Sequence, residues 1–249
     1  MLQIHQFPCL SDNYGFLVHD PATSATAAID TPDAEEIARQ AELKGWRITD
    51  VWNTHWHPDH AGGNAAIKAK TGAVVTGPAE VQRIGTPPDR IVDDGDSITL
   101  GSAKARVLNV GGHTLGHIAY VFDADHVAFV GDALFALGCG RLFEGTAQQM
   151  WASLQKLAAL PNDATLYCAH EYTQSNARFA LSVDPENQAL RSRSIEIDRL
   201  RSAGKPTVPM TLSIEKETNP FLRAPELVPG VADWEAFAEI RKRKDNFKG

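Results

Sequence analysis

The segment Thr54-His55-Trp56-His57-Pro58-Asp59-His60 follows the apolar run Val51-Trp52-Asn53 and constrains this chain more than any other feature. A strand ending near residue 53 delivers three imidazoles and a carboxylate into one short loop. His55 and His57 stand two apart and converge on one ion if Trp56 turns away. Asp59 and His60 emerge on the other side of the turn. Pro58 stiffens it, and Gly62-Gly63 lets backbone approach closely before Asn64 begins the next element. Borderline divalent cations take this mixture of nitrogen and carboxylate ligands. A single histidine at a loop end is usually a cap or surface residue; three with an aspartate in six positions point to a metal.

The same grammar recurs three times. Ala105–Val110 is strand-like and empties into Gly111-Gly112-His113, Val127–Val130 into Gly131-Asp132, and Leu166–Cys168 into Ala169-His170. Ligands delivered from several strand ends make a rigid site on a scaffold whose core does the folding. Seven ligands suit two ions better than one. His55, His57 and His113 would hold one ion, and Asp59, His60 and His170 the other, with Asp132 able to bridge them. Two cations about 3.5–4 Å apart lower the pKa of a shared water towards neutrality, so the expected chemistry is hydrolysis. Asp59 could also accept the hydroxide's hydrogen bond, which makes Asp59 and Asp132 the expected catalytic carboxylates. Among the other histidines, His5, His19 and His126 read as surface residues. His117 begins a strand and reads as a core residue or a support behind the ligands. Cys139 and Cys168 lack a Cys-x-x-Cys partner and read as structural. Gly62-Gly63 lacks the lysine and spacing of a phosphate-binding loop.

Around these loops, the first 170 residues read as short strands and helices joined by Gly-, Asp- and Asn-rich turns. Expected strands are Leu2–Phe7, Gly15–Val18, Ala27–Asp30, Val51–Asn53, Val74–Thr76, Ala105–Val110, Ile118–Phe122, Val127–Val130 and Thr165–Cys168. Helices are expected at Pro32–Lys44, capped by Thr31, and at Gln148–Leu160, with Met150, Leu154, Leu157 and Ala158 on one stripe. After His170 the texture changes. Pro185–Ser202 reads as a helix bearing Leu190, Ile197 and Leu200, and Pro206–Pro229 as loop. A last helix, capped by Asp233, should pack Trp234, Phe237 and Ile240 inward. The expected division is 1–169 and 170–249, the second part smaller and helical.

Charge narrows the partners. The 249 residues carry 24 Lys and Arg against 31 Asp and Glu, a net −7. Residues 241–249 contribute +4 and leave −11 on the first 240. Such a body is a poor binder of a phosphate backbone, so no nucleic acid is expected, while the basic end suits a small anion. No run approaches the roughly 18 apolar residues of a membrane span. Residues 1–16 lack the basic and apolar regions of a signal peptide. With three scattered cysteines, the expectation is a cytoplasmic monomer without a membrane partner.

Residues 54–60 with His113, Asp132 and His170 resemble the signature of the metallo-β-lactamase superfamily. The resemblance implies, over roughly residues 1–170, an α+β fold: a four-layer αβ/βα sandwich. Residues 138–146, 168–173, 219–223 and 241–245 further resemble the hydroxyacylglutathione hydrolases (glyoxalase II), and that likeness spans nearly the whole chain. It implies hydrolysis of S-D-lactoylglutathione to D-lactate and glutathione, in methylglyoxal detoxification. It also implies two divalent ions, most commonly Zn2+, with Fe or Mn accepted. The helical end would then bind substrate, and Arg141, Tyr172, Arg241 and Lys244 match the family's glutathione-contact positions. Phe143 stands where some members carry tyrosine, which implies weaker substrate binding there. Arg241 and Lys244 are i,i+3 on one expected helix and can face one carboxylate. The alternatives are a glutathione-persulfide dioxygenase with one iron, or another hydrolase of the fold. A nuclease, a β-lactamase and a purely structural metal module fit the charge, the basic end and the open ligand set less well.

Overall fold

Two sheets stacked through aromatic side chains organise the first part of the chain. The computed structural model describes all residues, Met1–Gly249. They gather into two compact units, one formed by Met1–Asn109 with Gly116–Gly131, the other by Val110–Leu115 with Asp132–Gly249.

In the first unit, one sheet has the order β1 (Gln3–Cys9), β2 (Asn13–Asp20), β3 (Ala25–Ile29), β4 (Asp50–Trp52), β5 (Val74–Gly77), β6 (Arg90–Ile91). Pairing is antiparallel up to β3 and parallel beyond it. Parallel neighbours need crossovers, supplied by α1 (Ala34–Lys44) and then by α2 (Pro58–Ala61) with α3 (Asn64–Thr71). The antiparallel strands β7 (Ser97–Leu100), β8 (Ala103–Asn109), β9 (Ile118–Phe122) and β10 (Val127–Gly131) face this sheet. Side chains alternate across β2, whose residues are all buried. Phe16 points inward to Phe129, with centroids 5.5 Å apart. Leu17 points outward, into a core that includes Ile37 of α1, Val51, Ile67 of α3 and Val75. Trp52 fills the inter-sheet space against Tyr120 and Phe122 at 5.2 and 5.7 Å. This unit is the expected α+β sandwich, a mixed sheet with helices outside it facing an antiparallel one.

The second unit is mainly helical. A hairpin, β11 (Leu134–Phe135) and β12 (Gly138–Cys139), leads to α4 (Ala147–Ala158) and β13 (Thr165–Cys168). Then come α5 (Thr173–Val183), α6 (Gln188–Ser202), β14 (Met210–Thr211), α7 (Leu212–Thr218), α8 (Ala224–Leu227) and α9 (Asp233–Asp245). Leu137 packs with Ala177 and Ala180 of α5 and Leu190 and Ile197 of α6. Phe221 joins Phe179 to Phe237 of α9, at 5.9 and 6.1 Å.

Several local expectations are corrected. The cap of α1 is Asp33, whose carboxylate accepts from Glu35 N and Glu36 N, while Thr31 is buried and donates to Asn64 Oδ1. Helix α9 begins after Ala232, whose N–H is taken by Glu235, and Asp233 is its first residue. Its buried face is Ala236, Phe237, Ile240 and Arg241; Trp234, at the edge of that face in the first turn, stays 37% exposed. Helix α5 went unforeseen because Asn176 and Ser175 are weak helix formers, and the Pro206–Pro229 stretch contains α7 and α8. His19 is no surface turn residue: it lies within β2, stacked on Trp46 at 4.6 Å and bonded to Thr26 Oγ1.

Candidate active site

The metal loop of the first unit is held from beneath by a buried polar network. Tyr120 donates to Asn53 O at 2.8 Å, and Ile118 N to Thr54 O at 2.9 Å, so β9 fixes the point where β4 ends. Asn53 and Asn64 bond each other, and Asn53 Nδ2 reaches His60 O at 3.0 Å. Pro58 opens α2, which carries Asp59 and His60. Gly62 closes that turn so tightly that a Cβ there would meet Pro58 O at 2.3 Å. Trp56 does turn aside, under the Arg83 guanidinium at 3.8 Å.

Asp30 sets the proton positions of two histidines. It is buried just past β3, in the left-handed region at φ +58°, which aspartate tolerates better than most residues. One oxygen takes the Thr54 N–H at 2.7 Å; the other takes the Thr54 hydroxyl at 2.8 Å and the His60 Nδ1–H at 2.8 Å. Since the Thr54 hydroxyl donates to Asp30, its oxygen accepts from His55 Nδ1–H at 3.1 Å. Both rings therefore carry their lone pair on Nε2, as a metal ligand must. His55 Nε2 meets His57 Nδ1 at 2.9 Å, and His60 Nε2 lies 3.5 Å from Asp59 Oδ2. Asn13 Nδ2 steadies that carboxylate oxygen at 3.1 Å. His117 is fully buried and stacks on His55 at 4.6 Å.

The second unit presents a matching arrangement. His113 Nδ1 faces the Arg141 carbonyl at 2.9 Å, so it donates there and its lone pair lies on Nε2. Nε2 stands 3.4 Å from Asp132 Oδ2, while Asp132 Oδ1 stands 3.3 Å from His170 Nε2. Asp132 thus turns one oxygen to each histidine. Gly140 allows this closeness, because a Cβ there would lie 2.1 Å from Asp132 O. The seven residues singled out above thus fall four in the first unit, His55, His57, Asp59 and His60, and three in the second, His113, Asp132 and His170, each set a mixture of imidazole nitrogen and carboxylate oxygen. Divalent ions fit this donor set. Bonds of about 2.0–2.2 Å place neighbouring ligand atoms roughly 3–3.5 Å apart, and a lone pair facing a carboxylate repels it unless a cation intervenes.

The residues between Asp132 and Arg141 are pinned by helices of the same unit. Asn176 donates to Ala136 O, and Asn219 to Phe135 O and Gly138 O, each at 3.1 Å. Glu215, fully buried and ion-paired with Arg193, accepts from Leu137 N at 2.9 Å. Arg241 Nη1 donates to Cys139 O at 3.1 Å, and its other side is taken by Asp245 at 2.8 and 3.0 Å. Lys244 reaches Ser175 O at 3.3 Å and lies over the Phe179 ring at 5.3 Å. Burial, with the charges of Arg241, Arg178 and Arg141, pulls its ammonium down to about 8. Tyr172 stacks flat on His170 at 4.7 Å, and Phe143, 60% exposed, stands 5.1 Å from His113. Cys139 and Cys168 are buried, which pushes their thiols up to about 11 and 12 and keeps them protonated. Asp30, Asn13, Arg193, Glu215, Asn176 and Arg178 were not among the residues expected from sequence. Only Asp30 carried the strand-end signal that could have found it.

Known proteins resemble both parts. Residues 15–170 match the metallo-β-lactamase superfamily model, and residues 171–247 the model of the hydroxyacylglutathione hydrolase C-terminus. A hydroxyacylglutathione hydrolase of Erythrobacter litoralis is 57% identical, covering 99% of this chain and all of that relative. One of Methylococcus capsulatus is 51% identical over the full length of both. Among solved structures, ETHE1 from Myxococcus xanthus superposes with TM-score 0.71 and 25% identity, covering 97% of this chain and 90% of that one. The BLEG-1 B3 metallo-β-lactamase gives 0.68 and 19%, covering 88% and 99%.

Proposed function

We propose, for a chain that belongs to the hydroxyacylglutathione hydrolases of the metallo-β-lactamase superfamily, hydrolysis of the thioester S-D-lactoylglutathione to D-lactate and glutathione. One observation carries the reading: the likeness at 57% identity runs from end to end and so includes the helical region as well as the ligand loops. We take residues 1–169 as the catalytic part and 170–249 as the part that binds the tripeptide. The enzyme is a cytoplasmic monomer on this reading; no helix is long and apolar enough to cross a membrane.

His55, His57 and His113 would hold one ion, Asp59, His60 and His170 the other, and Asp132 both. Two divalent ions, Zn2+ or else Fe or Mn, supply when bound a hydroxide at neutral pH and polarisation of the thioester carbonyl. Asp132 is oriented for a shared ligand, with its two oxygens turned to different histidines. Asp59, whose carboxylate accepts from Asn13, would accept the nucleophile's hydrogen bond and aim it. Asp30 keeps His55 and His60 in the ligating tautomer throughout. The expelled thiolate needs no strong general acid, since thiols ionise near pH 8–9. Arg141, Arg241 and Lys244 draw the tripeptide's carboxylates, and Phe143 and Tyr172 flank the histidines with aromatic surface. Turnover of S-D-lactoylglutathione, with metal analysis of the same sample, tests the reading. The expected result is hydrolysis with two ions per chain; one iron with oxygen uptake on glutathione persulfide would replace it with the dioxygenase.

A further inference from the structure

In the second unit, arginines are matched to carboxylates almost throughout. Arg191, Arg193, Arg199 and Arg201 each lie beside a glutamate, as does Arg243, and Arg223 and Arg241 beside aspartates. Arg141 and Arg178 have no such neighbour, and both are exposed. These are also the two arginines, besides Arg241, whose charge bears on Lys244. Lys244 itself has only Ser175 and aromatic faces as contacts. Arg178 lies one turn beyond Ser175 on α5, on the same helix face. Ser175 thus has Lys244 at its oxygens and Arg178 one turn away, while Asp245 already compensates Arg241. Like charges in proximity cost free energy unless an anion joins them.

We propose that Arg178 is a substrate-binding residue, which with Lys244 receives a terminal carboxylate of the glutathione moiety. This rests on the hydrolase reading above and extends its binding set to α5. A guanidinium forks two donors onto a carboxylate, and Lys244 adds a third from the neighbouring helix. Because the contact is remote from the thioester, it holds substrate and transition state alike and should act on KM.

The test compares wild type with Arg178→Ala and Arg178→Lys on S-D-lactoylglutathione and on a small thioester without carboxylates. Binding of glutathione itself is measured by calorimetry. Arg178→Ala should raise KM for S-D-lactoylglutathione about ten- to a hundredfold. Its kcat and metal content should stay near wild type, kinetics on the small thioester should not change, and lysine, which keeps the charge but not the fork, should restore part of the loss. Glutathione should bind the alanine variant correspondingly more weakly. An unchanged KM, or an equal loss on both thioesters, overturns the proposal. A wild type that binds glutathione but does not hydrolyse its thioester defeats the hydrolase reading alone, since the calorimetric comparison still decides Arg178.

Discussion

The metal loop of the first unit and the cationic surface of the second solve opposite problems. Around His55 and His60, the buried side chains are matched to one another before any ligand arrives: Asp30 serves Thr54 and His60 directly and His55 through the Thr54 hydroxyl, and Asn53, bonded to Asn64, holds the His60 carbonyl. Around Lys244, cations outnumber carboxylates: Arg241, Arg178 and Arg141 act on it against Asp245 alone, and Arg141 and Arg178 lie at the surface with no carboxylate beside either. Preorganisation suits a metal, whose ligands must hold one tautomer and one angle. An uncompensated cation cluster suits a diffusing anion, which completes it on arrival. Rigid chemistry and unsatisfied recognition are thus allotted to different stretches of chain.

Asp132→Ala tests the rigid side hardest. It removes the carboxylate that faces both His113 and His170. Turnover should fall well beyond the roughly 10–100-fold typical of residues standing behind metal ligands. Bound metal should fall with it, while circular dichroism and thermal unfolding of the metal-free protein stay close to wild type. Full metal content with near-normal turnover would show that Asp132 is not the shared ligand.

On the cationic side, Arg241→Ala with Lys244→Ala should cost about ten- to a thousandfold in kcat/KM on S-D-lactoylglutathione, from two charge-assisted contacts. The two residues are not equivalent, however. Arg241 is 5% exposed and also holds Cys139 O, at the foot of the hairpin that leads back to Asp132. Lys244→Ala alone should therefore raise KM with little change in kcat, whereas Arg241→Ala should lower kcat as well. A small thioester without carboxylates separates them: its hydrolysis should survive Lys244→Ala and suffer in Arg241→Ala.

Asp30→Asn probes whether the metal side is set by its hidden partners. The amide keeps the size but offers only one oxygen, so it cannot serve Thr54 N, Thr54 Oγ1 and His60 Nδ1 together. Metal affinity should drop about 10–100-fold, read by competition with a chelating dye, and kcat at saturating metal should recover most of its value. An unchanged affinity would mean that the tautomers are set elsewhere.

Much of this was legible in the sequence, and the boundary is physical. All seven His and Asp candidates follow strand-like runs, and a ligand delivered from a strand end leaves a local signature that spacing alone reveals. Asp30 ends a strand too, but it stands alone before the Thr31-Pro32 helix start, with no second ligand type beside it; its three bonds reach 24 and 30 residues ahead. Glu215 lies 78 residues from the Leu137 N–H it accepts, and Asn219 more than 80 from the hairpin carbonyls. Such pairings follow from tertiary approach and carry no periodicity. Short strands such as Arg90–Ile91 and Leu134–Phe135 were missed for a similar reason, since two residues cannot display alternation.

The smallest expected effect is a pH dependence confined to the cationic side. Lys244, drawn down to about 8 by burial and by Arg241, Arg178 and Arg141, loses its charge as pH rises through that value. The arginines keep theirs, so binding weakens without vanishing. KM for S-D-lactoylglutathione should rise up to about tenfold between pH 7 and 9.5, and Lys244→Arg should flatten the profile. The rise cannot come from Cys139 or Cys168, whose thiols titrate near 11 and 12. Nor should unfolding mimic it. An unfolded lysine stays protonated to about 10.4, so above pH 8 the unfolded chain binds more protons at this residue than the folded one. Stability contributed by Lys244 therefore increases from pH 8 towards 10. A KM that climbs while the unfolding temperature holds would assign the effect to Lys244, and a profile unaltered by Lys244→Arg would remove that lysine from the carboxylate site.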